Sequence, residues 1–221
     1  ILSIVALWIE ISLFTFNLIS GNLNPNEYLQ TPIDSRRSIH LYSGYATHRP
    51  LMAIVSIGDI RPEYHGTGIN GLDISQKIAS NWKGYPIDWS IRLGYLRHQE
   101  NGFQPNHNQV NGLIMAHYRT QYKGMPLRLF FGEGLSWSQQ VPFVEGRETR
   151  RLSDERDSRL MNYINIGFDF NLGDLFRQPA LHPITVGFSD YHRSGIFKKI
   201  KLFNRTQGGS NYITVFFEYN F

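Results

Sequence analysis

From Ile39 to Phe221, apolar side chains recur at every second position over long stretches of the chain. A period of two places alternate side chains on opposite faces of a strand, and no helix presents such a pattern as a single stripe. The clearest case has Ile87, Trp89, Ile91, Leu93 and Tyr95 on one face, against Asp88, Ser90, Arg92 and Gly94 on the other. Residues 160–172 repeat the split, with Ile164, Ile166, Phe168 and Phe170 opposed to Tyr163, Asn165, Gly167 and Asp169. Ile184, Val186 and Phe188 then stand against Thr185, Gly187 and Ser189. Strands are predicted at 39–47, 68–80, 86–98, 110–121, 126–138, 160–172, 183–194 and 211–221. These are eight strands of an all-β fold.

Several of these strands run to 11–13 residues, about twice the mean strand of a soluble protein and enough to cross a bilayer at a tilt. Long connections at 48–67, 99–109, 139–159 and 195–210 alternate with shorter ones at 81–85, 122–125 and 173–182. Long loops on one side and tight turns on the other are the pattern of an outer-membrane barrel, which closes without an edge strand. A charged fraction of 18% and an aromatic fraction of 14% suit an apolar exterior. The expectation is an eight-stranded antiparallel transmembrane β-barrel occupying 39–221 in the bacterial outer membrane. A soluble lipocalin-like barrel is the competing architecture, and it would turn its apolar faces inward. The segment LMAIVSIGDI at 51–60 fits neither scheme and is open to reading as a ninth strand. GEG at 132–134 lacks the GK[ST] of a phosphate loop and is read as a bend or bulge. The chain ends on Phe221, with Tyr219, Phe217, Val215 and Ile213 behind it on the same face. That ending resembles the C-terminal signature of bacterial outer-membrane barrels, and the resemblance implies the barrel-assembly machinery as a partner.

Residues 1–20 carry Glu10 as their one charge and are read as the apolar core of an export signal without its basic head. Residues 21–38 are then a periplasmic N-terminal segment. The absence of cysteine excludes disulfides, thiolate metal sites and cysteine nucleophiles. The net charge of +4 is not gathered into a basic stripe, so nucleic acid is not an expected partner.

An eight-stranded barrel is filled by its own side chains, so its function belongs to the loops, rim or outer wall. The last strand descends to the periplasm, so 183–194 ascends. Continuing the lipid-facing parity upward from Phe188 puts Asp190, His192 and Ser194 on the outer wall near the extracellular rim. Two such residues share a face with Cβ atoms roughly 6–7 Å apart. That is close enough for an imidazole to serve a serine nucleophile, given a group to orient the ring and donors for the oxyanion.

The run His192-Arg193-Ser194-Gly195-Ile196-Phe197, followed by Gly208-Gly209-Ser210-Asn211-Tyr212, resembles the end of the lipid A 3-O-deacylase family, the PagL-type acyloxyacyl hydrolases. The resemblance covers the C-terminal part of the chain. It implies an outer-membrane serine esterase that removes an ester-linked acyl chain from lipid A, on the lipid-facing wall and without a cofactor. His192 would be the base and Ser194 the nucleophile, with the backbone of Gly208, Gly209, Ser210 and Asn211 receiving the oxyanion or orienting the ring. The chain departs from the family at the acid: Ser210 or Asn211 falls where the family has Glu. Asp190, Glu145 and Asp157 are the candidate substitutes. The segment 145–159 holds five acidic and five basic residues. It is read as a loop whose Arg147, Arg150 and Arg151, with Arg193, engage the phosphates of lipopolysaccharide. His98, Glu100 and His107 lack a recognised ligand spacing, so no metal is expected. The competing function is a non-catalytic outer-membrane barrel, structural or adhesive, whose loops bind lipopolysaccharide or a partner.

Overall fold

The computed structural model describes residues 35–152, 156–196 and 199–221. The signal-like run 1–20 and most of the 21–38 segment lie outside the described residues. Eight strands, β1 (Arg37–Thr47), β2 (Gly68–Ala79), β3 (Ile87–Gln99), β4 (His107–Tyr122), β5 (Met125–Ser138), β6 (Leu160–Asn171), β7 (Ile184–Ser194) and β8 (Gly209–Asn220), follow one another around a closed barrel. Every neighbouring pair is antiparallel, and β8 returns to β1 from Ser38↔Asn220 to Thr47↔Asn211. Closure satisfies the backbone of every strand, which is what an apolar solvent demands.

The barrel is inverted relative to a soluble one. Its outer wall exposes Leu41, Ile74, Leu93, Ile114, Trp137, Phe188, Val215 and Phe217, among others. Its interior holds ions and hydrogen-bonding groups. In the periplasmic half, Glu218 accepts from Arg128 at 3.0 Å and from Arg92 at 3.3 Å, while Asp169 accepts from Arg128 Nε at 2.9 Å. In the middle, Asp73 accepts from the hydroxyls of Tyr42 at 3.2 Å and Tyr191 at 2.9 Å, and those two rings stack at 4.6 Å. This polarity excludes the lipocalin-like reading, because apolar alternate residues turned outward are stable only in lipid.

Two of the three connections at the end bearing the chain termini are short; the third, between β6 and β7, runs 172–183 and is longer than the 100–106 connection at the opposite end, against the expected alternation. The tightest, between β4 and β5, is Lys123-Gly124, with φ of 51° and 79°. Both central residues of such a two-residue hairpin need positive φ, which glycine adopts without strain. The longest connections lie at the opposite, extracellular end. There the sequence expectations need correction. Residues 51–60 form no ninth strand: Leu51–Ile57 is a helix, α1, closed by Gly58 at φ 67°. The apolar run lacks a second strand edge to pair with, and its backbone bonds within itself instead. Phe143–Leu152, read as loop, is a helix, α2, over the extracellular mouth. A short helix α3 (Leu172–Phe176) lies between β6 and β7, with Asn171 accepting from the Asp174 amide at its start. GEG is neither bend nor bulge, since Gly132 and Gly134 keep regular register with Met115 and Leu113. A Cβ on Gly132 would meet Met115 Sδ at 2.1 Å, so the glycine makes room for a core methionine. Among the described residues, register breaks at Lys77/Ala79.

Replacing Glu218 with Ala leaves Arg92 and Arg128 facing one another in the interior without their shared counter-ion. Urea unfolding in detergent micelles, followed by tryptophan fluorescence, should show a loss of about 3–5 kcal/mol, and the Glu218→Gln variant a smaller one.

Candidate active site

The side chains of β7 divide cleanly. Thr185, Ser189, Tyr191 and Arg193 point inward and are buried, while Ile184, Val186, Phe188, Asp190, His192 and Ser194 take the outward parity. Arg193 fixes this choice. Its Nε donates to Glu145 Oε2 at 2.6 Å and one Nη to Glu145 Oε1 at 3.3 Å. The remaining donors reach Gln109 Oε1 at 2.8 Å, Ser136 Oγ at 2.9 Å and the Arg159 carbonyl at 3.2 Å. With all five guanidinium N–H groups bonded inside, Arg193 is not available to lipid phosphate, which corrects that expectation. Glu145 is likewise inside the barrel rather than over the histidine. Ser210 donates to Glu145 Oε2 at 3.0 Å, so its side chain belongs to the interior as well.

On the outer wall the register sets residues side by side. Thr47 of β1, Asn211 of β8, His192 of β7, Ile164 of β6 and Glu133 of β5 form one row. Asn162, Ser194 and Gly209 form a row above it, toward the extracellular side. His192 Nδ1 lies 2.7 Å from Asn211 Oδ1. The Asn211 amide is itself oriented, because its Nδ2 donates to the Arg49 carbonyl at 2.8 Å. Nitrogen toward Arg49 means oxygen toward His192, so the hydrogen sits on Nδ1 and Nε2 carries a bare lone pair. A neutral imidazole in this tautomer can accept a proton at Nε2, as a general base must.

The segment that holds Arg49 in place hangs on the outside of β1. Tyr45 Oη donates to the Ile60 carbonyl at 2.7 Å and Thr47 Oγ1 to the Arg61 carbonyl at 2.7 Å. Asp59 bridges Arg49 at 3.0 Å and Arg61 at 2.7 Å. The hydrogen-bonded Arg61 guanidinium holds the Asp59 carboxyl down at about 2, so the bridge persists across the whole neutral range. This strap carries α1, which begins two residues after Arg49 and whose Met52, Val55 and Ile57 are exposed.

Ser194 Oγ accepts from the Ile196 amide at 3.2 Å, and among the described residues no hydrogen bond joins it to His192. Gly208, at φ 91°, turns the chain into β8 against Glu148 and Leu152 of α2, and its carbonyl accepts from the Gly195 amide at 3.2 Å. Gly209 stands opposite Ser194, where a Cβ would strike the Arg193 carbonyl at 1.7 Å. Asp190 lies between Ile166 and Ile213, with both carboxylate oxygens buried and making no hydrogen bond of proper geometry. It does not orient the imidazole; Asn211 does. Asp157 enters through its carbonyl, which accepts from Asn204 at 2.9 Å. Arg147, Arg150 and Arg151 lie exposed on α2. Arg147 donates to the Tyr64 hydroxyl at 2.8 Å, and Arg151 pairs with Glu148 at 3.1 Å.

Three wall residues were missed from the sequence: Asn162 beside Ser194, Thr47 beside Asn211, and Glu133 two strands from His192. The signal was present for two of them. Asn162 and Glu133 interrupt lipid-facing faces that are otherwise apolar, and a polar residue on such a face needs a reason.

No family model and no curated protein sequence matches this chain. Among solved structures, it is similar to the crystal structure of the outer membrane enzyme PagL, at 12% identity over 83% of this chain and 99% of that one, with a TM-score of 0.51. It is also similar to the N-terminal β-barrel domain of Pseudomonas aeruginosa OprF, at 12% identity over 85% and 98% of the two chains, with a TM-score of 0.45. At such identity the likeness is one of fold, that of an eight-stranded outer-membrane barrel.

In protein with 15N-labelled histidine, His192 should give the spectrum of a neutral ring protonated at Nδ1. Asn211→Ala should abolish that signature. An unchanged tautomer in the variant would mean that the amide does not set it.

Proposed function

We propose that this barrel is a serine esterase that hydrolyses an ester-linked acyl chain of lipid A in the outer leaflet. The observation that carries the proposal is the Arg49–Asn211–His192 chain of hydrogen bonds. It leaves a bare Nε2 on the lipid-facing wall, one row from Ser194. A soluble substrate would not require such a pair to face the membrane, whereas an acyl ester embedded in it would. The exposed apolar side of α1 supports the same reading, since it offers acyl chains a surface that begins two residues after Arg49. On this reading the exposed arginines of α2 (Arg147, Arg150 and Arg151) engage headgroup phosphates.

In the mechanism, Nε2 of His192 takes the proton of Ser194 Oγ as the oxygen attacks the acyl carbonyl carbon. Backbone N–H groups at Gly208 and Gly209, where the chain enters β8, receive the developing oxyanion. The adduct collapses by expelling the lipid A alkoxide, which takes the proton from the imidazolium. Water, deprotonated by the same nitrogen, then cleaves the acyl-enzyme and frees the fatty acid. Before attack Ser194 must turn from the Ile196 amide toward His192, a rearrangement that substrate binding commonly brings about in such sites. Asn211 fulfils the orienting part of the acid's role and lacks its charge, so it stabilises the imidazolium less than a carboxylate does.

A second reading, a non-catalytic barrel that binds lipopolysaccharide through its loops, rests on the missing Ser194–His192 bond and on the amide in place of an acid. Mass spectrometry of lipid A from cells producing the chain separates the two. Loss of one acyl chain with the wild type, but not with Ser194→Ala, is the expected result. Identical lipid A in both, with both barrels folded in the outer membrane, supports the non-catalytic reading. On the esterase reading, Asn211→Glu should raise the initial deacylation rate about tenfold or more by adding a charge next to the imidazolium.

A further inference from the structure

Inside the extracellular mouth, on the opposite side of the wall from Ser194, three potential ligands meet. His98 of β3, Glu100 just beyond it and His107 at the start of β4 each offer one atom, and these atoms lie within 4.8 Å of one another. All three side chains are almost fully buried, at 1%, 1% and 2% exposure. The two imidazoles stack at 4.6 Å, and His107 Nδ1 lies 3.5 Å from Glu100 Oε1.

The hydrogen-bond pattern leaves one buried lone pair unanswered. Gln109 Oε1 accepts from Arg193 Nη1 at 2.8 Å, which fixes the orientation of that amide. The same oxygen lies 3.0 Å from His98 Nε2, so Nε2 carries the ring hydrogen and donates it. His98 Nδ1 is therefore an unprotonated acceptor, buried, with no donor facing it. Both nitrogens of His107 are buried without a hydrogen bond of proper geometry, with the Pro105 and Gln140 carbonyls as nearby acceptors. A buried imidazole lone pair without a partner is costly. A ring that donates one nitrogen to a carbonyl oxygen while offering the other is how a metal-bound histidine is held.

We infer that His98, Glu100 and His107 form a binding site for a first-row divalent cation, zinc by the chemistry of its donors. Two imidazole nitrogens and one carboxylate oxygen make a three-ligand zinc set with a fourth position open to water. A tetrahedral ion needs its ligand atoms about 3.3 Å apart, so on binding the two rings and the carboxylate would turn inward from their present spacing of up to 4.8 Å. His98, Glu100 and His107 match no recognised ligand spacing in the sequence; the turn between β3 and β4 brings the third ligand back to the first two.

The ion would fasten the extracellular lid. Glu100 accepts from the Phe143 amide, the first residue of α2, at 3.3 and 3.4 Å. Gln104 ties the same carboxylate to the Val141 carbonyl, donating 3.0 Å to each. Binding therefore links β3, β4 and the start of α2 through one centre.

The test uses the untagged full chain, folded in detergent micelles and stripped with a chelator, titrated with Zn2+ by calorimetry and with Co2+ by visible absorption. One saturable equivalent, with Co2+ bands of low-symmetry four- or five-coordination, is expected. His98→Gln and His107→Gln should each weaken binding about 100-fold or more. If the wild type takes up no stoichiometric ion, or the double variant binds as tightly as the wild type, the site does not exist. Should the variants fail to fold, pulsed electron paramagnetic resonance of the Cu2+-loaded wild type decides. Two coordinated imidazoles uphold the assignment, and any other number overturns it.

Discussion

Arg193 sits between His192 and Ser194 in the chain and faces the other way. Its five donors are met by Glu145, Gln109, Ser136 and the Arg159 carbonyl, all inside the barrel. Because successive side chains of a strand alternate, holding this guanidinium inside forces its two neighbours outside. A slip of one residue would move the charge into lipid and the histidine and serine into the core. The same contacts pull Glu145 and α2 down onto the mouth. They also fix the amide of Gln109, and through it the tautomer of His98. The lipid-facing pair, the lid and the buried histidine cluster thus depend on one residue.

The wall around His192 shows how a polar group is kept at a membrane boundary. The ring bonds to Asn211, Asn211 bonds to a carbonyl of the connection between β1 and β2, and that connection is tied to β1 through Tyr45 and Thr47. Apart from the bare Nε2, these polar atoms satisfy one another at the upper edge of an apolar wall. Below them, on the same parity of β7, the residues are Phe188, Val186 and Ile184, as lipid requires. Asp190 is the exception, a buried carboxylate between two isoleucines with the Tyr212 backbone amide as its polar neighbour.

Much of the fold was legible because its signal is local. Each of the eight strands announces itself by alternation within its own residues, and observed ends fall within a few positions of those expected. The placement of His192 and Ser194 on the wall followed from the same parity. The misreadings concern segments whose partners are distant in sequence. LMAIVSIGDI carries the composition of a strand but has no free edge to join, so it folds as α1. EGRETRRLSDERDSR looks like a solvated loop until Glu145 finds Arg193, after which its first half is a helix closing the mouth. Arg193 was assigned to lipid phosphate from its charge alone, although the parity that placed its neighbours outside already placed it within.

The sequence by itself determined the class of the molecule: eight long alternating strands, closed to leave no edge, with apolar faces toward lipid and the His–Ser pair among them. Period and chain direction are enough for that, since they depend only on strand geometry and on the solvent each face meets. The tertiary structure decided which groups bond to that histidine and which tie α2 to the barrel mouth. Asn211 as the partner of His192, Arg49 behind it, Glu145 against Arg193, and the meeting of His98 with Glu100 and His107 all join different strands or loops. Such contacts are set by barrel register and loop packing, and alternation along a single strand carries no information about either.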